Sequence, residues 1–514
     1  MLKKNISQID IFDRMIFDKL IPKDHLLVEV DSAIDFSFVY EKVQNKYSLI
    51  GRGSKDPIMM VKIFLLEYLY NLSDVQVTKR IQTDIVFRWF LQLSINDPVP
   101  DDSTLSRFRV HRLDEDCFDE FFNEIVKQCI EKDLLKTRRY MIDTTDVAAN
   151  VNYPSDKKLL CNAYRKVINE IEKFNEYLAK EQLEEFEYLI ELEHEINEKV
   201  SAKKYFEITD KRLGHLYLKT YDELLSNEDY QAAYGLCYDI VDQYINNKKD
   251  KIVSIIDPDA RVAHKSPGNI KRGYKDHIIV DEDSEIILAS VQTPFNVGDE
   301  KKLKELIEKV ETNFEIKPEE ISADKVYGTI NNRAYLKDNE IISNILFYKE
   351  SSRESEYFKL SDFKISADFE SITCPSGVIT EDYHNIFLGK EDKKEFKQFK
   401  FDTNKCNRCL LRDQCLYKNK AGKVPYKART VDIPIRYDAM LTDMVRVKTE
   451  AFEKASNNRY KVERRFATMV RNHGLRRCRY LGLSGAKIHI TMANMACNVV
   501  RMVNLLLQPS IAMP

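Results

Sequence analysis

The chain has no apolar run approaching the eighteen or so residues of a membrane span, so no spanning segment is expected. Its start, MLKKNISQIDIFDRM, lacks an apolar signal core followed by a small-residue cleavage site. A cytoplasmic protein is therefore expected. Cysteine is sparse: ten in 514 residues make no disulfide framework, and most should be reduced thiols. Net charge is almost absent as well. At −3 it argues neither for nor against nucleic acid, and only its distribution can. The stretch from Lys157 to Asp250 is rich in Glu, and much of Lys400 to Arg479 is basic, so the average can hide a basic face. What is present, 43% hydrophobic and 32% charged residues, describes a globular chain long enough for about two to four domains.

Residues 1–135 read as a helical N-terminal domain. Pro57 to Tyr70 is an apolar helix with Pro near its first turn. Asp74 to Leu91 gives another, with Val75, Val77, Ile81, Ile85 and Phe87 inward. After the break at Asp97-Pro-Val-Pro, the residues Asp101, Asp102 and Ser103 supply N-caps for a helix carrying Arg107, Arg109, His111 and Arg112. The pattern fits a helix-turn-helix that contacts DNA, and equally a plain bundle with a solvated basic face.

The remainder, 136–514, alternates strands and helices around two insertions. A strand is expected over Tyr140–Thr144, with Asp143 near its C-terminal end, where open α/β sheets place ligands, and Asp146 beyond it. A turn or cap role for Asp143 is the plainer alternative. Residues 153–247 form a charged helical insertion: Ile168, Ile171, Phe174, Tyr177, Leu178, Leu189, Leu192 and Ile196 recur at helical steps, as in an antiparallel coiled-coil hairpin. The sheet resumes at Lys251–Arg261, with a turn at Asp257-Pro258-Asp259. Gly273–Asp281 and Glu285–Val291 make a β-hairpin across a short acidic turn. Lys275 and His277 share one face, and His277 reads as a satisfied sheet histidine before it reads as a site residue. A helix over Asp299–Asn313 follows, then a strand ending in Asp324, with Gly328 allowing a tight turn. A helix over Asn331–Asn339 and a strand over Ile342–Tyr348 come next, and an apolar helix over Gly485–Leu507 should pack back on the sheet.

Residues 351–430 are a less regular, basic insertion containing Cys374, Cys406, Cys409 and Cys415. Four thiolates can chelate zinc, but with a single strict C-x-x-C, structural thiols or a conditional disulfide stay open. The stretch Asn458–Arg479 is an amphipathic helix running into a basic turn. Val462, Phe466, Met469 and Val470 form its apolar stripe, Glu463 sits at the stripe's edge, and Arg459 lies one turn earlier within reach of it. An ordinary surface helix with a salt bridge would look the same. Asp143, Asp324 and Glu463 together, on two strand ends and a late helix, are hard oxygen donors of the kind that hold two Mg²⁺ ions for phosphodiester chemistry.

Four stretches, FLLEYLYNLSDVQV…VFRWFLQLSINDPVPDDSTLSRFR, IDTTDVAANV, DPDAR…GYKDHIIVD…TPFNVGDEKKL…ADKVYG and VERRFATMVRNHGLRRCRYLGL, join the cysteine segment CNRCLLRDQC in a resemblance. In this order they resemble the DDE transposases of bacterial insertion sequences, most closely the insertion-sequence 1182 family. The resemblance implies an α/β, RNase H-like mixed-sheet core behind the helical N-terminal domain. It places Asp143, Asp324 and Glu463 as the metal-binding catalytic triad, Asp143 bridging two Mg²⁺ ions (Mn²⁺ substituting) and the others holding one each. Arg459 matches the arginine four before the glutamate. The signature's tyrosine is Ser456 here and its lysine is Val470, with Arg471 adjacent. Arg471, Arg476, Arg477 and Arg479 would hold DNA backbone, together with Arg107 and Arg109 of the N-terminal domain. The implied protein is nucleoid-associated in a bacterium. It would act as a homodimer on double-stranded DNA, binding terminal inverted repeats, cutting to leave a 3′-OH and joining that end to target DNA. A nuclease of the same fold without strand transfer, and an idle DNA-binding descendant of a transposase, are the alternatives.

Overall fold

The computed structural model describes residues 2, 9–47, 53–173, 201–219, 222–266, 269–348, 357–389, 394–418 and 422–507. It contains two compact units, Met1–Lys317 with Tyr460–Pro514, and Pro318–Arg459.

The first unit opens with eight helices: α1 (Ile11–Leu20), α2 (Leu26–Ala33), α3 (Phe38–Val43), α4 (Pro57–Leu69), α5 (Asp74–Thr83), α6 (Ile85–Phe90), α7 (Asp102–His111) and α8 (Glu115–Glu131). Asp56 caps α4 by accepting from Ile58 N at 2.9 Å, and the helix is buried almost all round. Its two charges are matched inside the core: Lys62 Nζ lies 2.6 Å from Asp31, and Glu67 faces Arg109 at 3.3 Å. The single helix expected over Asp74–Leu91 is two. Asp84 breaks it, because its carboxylate caps the N–H groups of Val86 and Phe87 and takes Arg80 Nε at 3.1 Å.

β1 (Arg139–Ala148) starts the sheet. The helices α9 (Asp156–Glu172), α10 (Ala202–Lys219) and α11 (Glu228–Ile245) bury a core of their own around Leu160, Tyr164, Val167, Phe206 and Ile240. The positions Phe174, Tyr177, Leu178, Leu189, Leu192 and Ile196 lie outside the described residues. No strand forms over 251–260. Its backbone turns at Asp257, whose carbonyl accepts from Ala260 N at 3.3 Å, and strand pairing begins only at Arg261. β2 (Arg261–Ser266), β3 (Asn269–Asp281) and β4 (Ile287–Pro294) follow, with β3 pairing antiparallel to β1, β2 and β4. Gly273 of β3 faces Ala148 of β1. Its φ is +132°, and a Cβ there would meet Val147 O at 2.4 Å. A 3₁₀ turn then leads into α12 (Leu303–Phe314).

In the second unit, β5 (Glu320–Ala323) and β6 (Ile342–Ile345) pair in parallel and are linked by α13 (Ile330–Asp338). β6 ends at Ile345, three residues before the expected Tyr348. Gly328 has an ordinary φ of −75°. It is glycine for space, since a Cβ would lie 2.5 Å from Arg333 Nη2. Arg333 is buried and reaches the carbonyls of Gly328, Ile345 and Leu346 as well as Asp443. The cysteine-containing part is built on the antiparallel strands β7 (Tyr383–Leu388), β8 (Lys394–Lys400) and β9 (Thr430–Pro434) and a smaller three-stranded sheet, over a core that includes Phe363, Ile372, Phe399 and Ile433. α14 (Tyr437–Arg446) and α15 (Glu450–Asn458) complete the unit.

The chain returns to the first unit with α16 (Tyr460–Asn472) and α17 (Gly482–Leu507). By length and composition α17 could cross a membrane, with a mean hydropathy of 1.4, contrary to the expectation from apolar runs. Here 67% of that window is buried, and the helix packs on α2, α4, α8, β3 and β4. Its polar residues are pinned rather than exposed. Asn498 exchanges two 2.8 Å bonds with the Ile287 backbone, Asn494 donates to Asp276 and Ser290, and His489 Nδ1 lies 3.0 Å from Tyr68 Oη. Through α17 the N-terminal helices and the sheet share one core, so compactness divides the chain at 317 and 460, not at 135.

Candidate active site

Asp143 lies in the middle of a ten-residue strand rather than near its end, and Asp146 is inside that strand. β1 is longer than expected because β3 continues to pair with it as far as Ala148, and because the turn after α16 then joins it. Ala148 N donates to Arg476 O at 3.1 Å and Cys478 N to Ala148 O at 2.8 Å. Asp143 is half-buried, and its Oδ1 accepts from Thr144 N at 2.8 Å. Next to it, Thr144 Oγ1 is 2.8 Å from His277 Nδ1, while His277 Nε2 is 2.9 Å from Thr293 Oγ1. Burial, with Lys275 and Lys302 adding to it, pushes the imidazole down to about 3, so this ring is neutral. It is the satisfied sheet histidine that its alternating neighbours suggested. Sequence reasoning missed Thr144, which the facing register to His277 alone reveals.

Glu463 is exposed in the first turn of α16, where a carboxylate meets the positive end of the helix. The buried residues Val462, Phe466 and Met469 hold the helix down, and α16 packs against β1. The first unit thus brings together the elements bearing Asp143 and Glu463. Asp324 belongs to the second unit. It directly follows β5, its Oδ1 accepts from Lys325 N at 2.7 Å, and Arg459 Nη1 lies 3.8 Å from it. Arg459 directly follows α15 and keeps a helical backbone, with φ −57° and ψ −25°.

The basic residues separate into two groups. Arg471, Arg476, Arg477 and Arg107 are exposed. Arg109 is buried, bonded to both carboxylate oxygens of Asp74 at 3.1 Å and packed on the Phe64 and Tyr480 rings. Arg479 donates to Leu72 O at 2.7 Å and Asn71 Oδ1 at 2.9 Å and covers the Tyr68 ring. These two arginines tie helices together.

Cys374, Cys406, Cys409 and Cys415 line one small cavity of about 30 Å³ in the second unit, as their grouping in the sequence implied. Gly377, at φ +83°, closes the Cys374-Pro-Ser-Gly turn with a 2.8 Å bond from its N–H to Cys374 O. Burial pushes the Cys415 thiol up to about 11; Arg429 opposes this, and the other three cysteines add to it. Among the described residues, no group of three or more His, Cys, Asp or Glu is already arranged to hold an ion.

Two known families match this chain. Residues 15–111 match Transposase domain (DUF772), and residues 373–503 match Transposase DDE domain. The two matches indicate a transposase. The first covers most of α1 through α7, and the second runs from the cysteine cavity through Glu463 into α17. Asp143 and Asp324 precede the DDE match, Asp143 within β1 and Asp324 directly after β5. No curated protein and no solved structure matches the chain.

Proposed function

We propose that this transposase moves an insertion sequence related to the 1182 family, binding the element's terminal inverted repeats and cutting and joining DNA. What carries the reading is that the DDE match spans α16 with Glu463, while α16 packs on the strand that bears Asp143. The reading assigns Asp143 and Glu463 of the first unit and Asp324 of the second as the catalytic carboxylates. They suit divalent magnesium or manganese: all are hard oxygen donors, Glu463 is exposed and Asp143 and Asp324 are only partly buried. When bound, a pair of such ions activates the attacking oxygen and stabilises the leaving one.

The chain's own part is to hold DNA and to hold those carboxylates. Exposed Arg471, Arg476 and Arg477 would neutralise phosphates, and the backbone bonds between 476–478 and Ala148 fix that turn to β1. Arg107 is the N-terminal contact the reading retains, and Arg459 bears on Asp324. Two chains act together on the paired ends. The four cysteines suit a structural zinc ion, as soft thiolate donors lining one cavity in a module with a small core.

The deciding experiment is cleavage and joining of DNA carrying the gene's own flanks, comparing the wild type with Asp324→Asn in Mg²⁺ and in Ca²⁺. End-specific cuts and joined products from the wild type in Mg²⁺ alone are expected. Cuts without end preference or joining would mean a nuclease, and equal products from Asp324→Asn would refute this site.

A further inference from the structure

The turn between β3 and β4 runs Asp281-Glu282-Asp283-Ser284-Glu285, and it grips α16. Glu285 is 2% exposed and has a φ of +59°, the left-handed region that favours glycine. Its carboxylate gathers three arginines. Arg464 donates from Nε at 3.2 Å and also from Nη2, Arg465 Nε lies 3.0 Å away, and Arg501 of α17 reaches it at 3.5 Å. One turn earlier on α16, Lys461 Nζ donates to Glu282 O at 2.9 Å. The turn is itself held rigid: Asp281 Oδ2 accepts from Ser284 N at 2.7 Å, Glu285 N donates to Asp281 O at 3.0 Å, and Glu282 N donates to Arg139 O, at the start of β1, at 2.9 Å.

Lys461, Arg464 and Arg465 bracket Glu463 in sequence; Lys461 and Arg464 are hydrogen-bonded to one turn that is also bonded to β1, and Arg465 forms an ion pair with it. A buried carboxylate shared among several arginines is weak as a source of stability, and its better attested use is to fix geometry. A metal-binding constellation needs its ligands held to within roughly 0.5 Å. We infer that Glu285 is a positioning residue: it sets the rotation and depth of α16, and so the place of the Glu463 carboxylate relative to Asp143. The inference rests on the metal-binding role proposed for Glu463.

The test is Mn²⁺ binding to the full chain, read by loss of the free-ion electron paramagnetic signal with uncleaved end DNA present, alongside the Mg²⁺ concentration that half-saturates cleavage. Glu285→Gln keeps the shape and removes the charge. It should weaken Mn²⁺ binding by roughly 10- to 100-fold, with cleavage recovered at high Mg²⁺ and an unchanged far-ultraviolet circular dichroism spectrum. Arg464→Met, at a half-exposed side chain, removes one arm of the clamp; it should shift binding in the same direction and supplies the test if Glu285→Gln does not fold. Val167→Ala, in the separate core of α9, α10 and α11, loosens the chain without touching the turn, so it should bind Mn²⁺ like the wild type. Normal Mn²⁺ binding by folded Glu285→Gln, with Glu463→Gln impaired, would overturn the inference and leave the functional reading standing. An equal loss in Val167→Ala would overturn it too, by showing general loosening. Unchanged binding in Glu463→Gln would instead refute the functional reading, and the inference with it.

Discussion

Arg109 and Arg477 look alike in the sequence, each an arginine in a basic stretch, and the fold gives them opposite work. Arg109 is buried against Asp74 and Glu67, whose side chain is fully enclosed. Truncating it to Ala would strand a buried carboxylate and should cost about 3–5 kcal/mol of stability, measured by denaturant unfolding. The exposed Arg477 should behave the other way in Arg477→Ala: unchanged stability, with the slope of DNA affinity against salt reduced by about one phosphate contact. Asp276 is a third residue whose behaviour is set by its surroundings. It is enclosed between Ser290 Oγ at 2.6 Å and Asn494 Nδ2 at 3.1 Å. Burial pushes its carboxyl up to about 7 although those bonds and Lys309 oppose the rise. Because the folded value lies above the unfolded one, its contribution is fully present below about pH 4 and is lost as pH rises through 7. Asp276→Asn should therefore remove a loss of stability on the order of a few kcal/mol between pH 4 and 8, visible as a flatter melting temperature against pH.

Elements were legible where one local rule dominated. The apolar helix at Pro57, the hairpin of β3 and β4 and the late helix α16 follow from periodicity and caps that the sequence displays. The break at Asp84, the full length of β1 and the irregular 251–260 were not legible, since each depends on a partner remote in sequence or on a choice between cap and helix interior. The same division runs through the candidate site. Strand-end and helix positions and the family resemblance single out the carboxylates as candidates, whereas Thr144 behind Asp143 and the turn gripping α16 appear only once strands are in register. The cysteine module is a case where spacing did foretell contact, since residues 374 and 415 line one cavity with the pair at 406 and 409. If its four thiolates hold zinc as proposed, the chain should purify with about one zinc per chain by elemental analysis. Cys409→Ser should lose the metal and lower the melting temperature, since thiolate–zinc binding is itself folding energy.

For the whole chain, a boundary near 135 was readable as a change of texture, from helices to strands, but packing follows a different line. The reason is α17, whose buried face meets α2, α4 and α8 as well as the sheet. A sequence read in order gives no sign that a helix beginning at Gly482 will pack on α2, α4 and α8. The second unit, Pro318 to Arg459, has a core of its own around Phe363, Ile372 and Phe399, and it interrupts the first in sequence.

That late helix also sets a schedule for biosynthesis. α8 ends at Glu131 and α17 begins at Gly482, so about 350 residues separate the early helices from the partner that covers them. At ordinary rates of translation the ribosome needs roughly 20–70 s to make them. Through that interval the apolar faces of α2, α4 and α8 are waiting, and they are surfaces for a chaperone to shield. A chain that stops before α17 lacks the helix that packs on α2, α4 and α8, so its first unit cannot close.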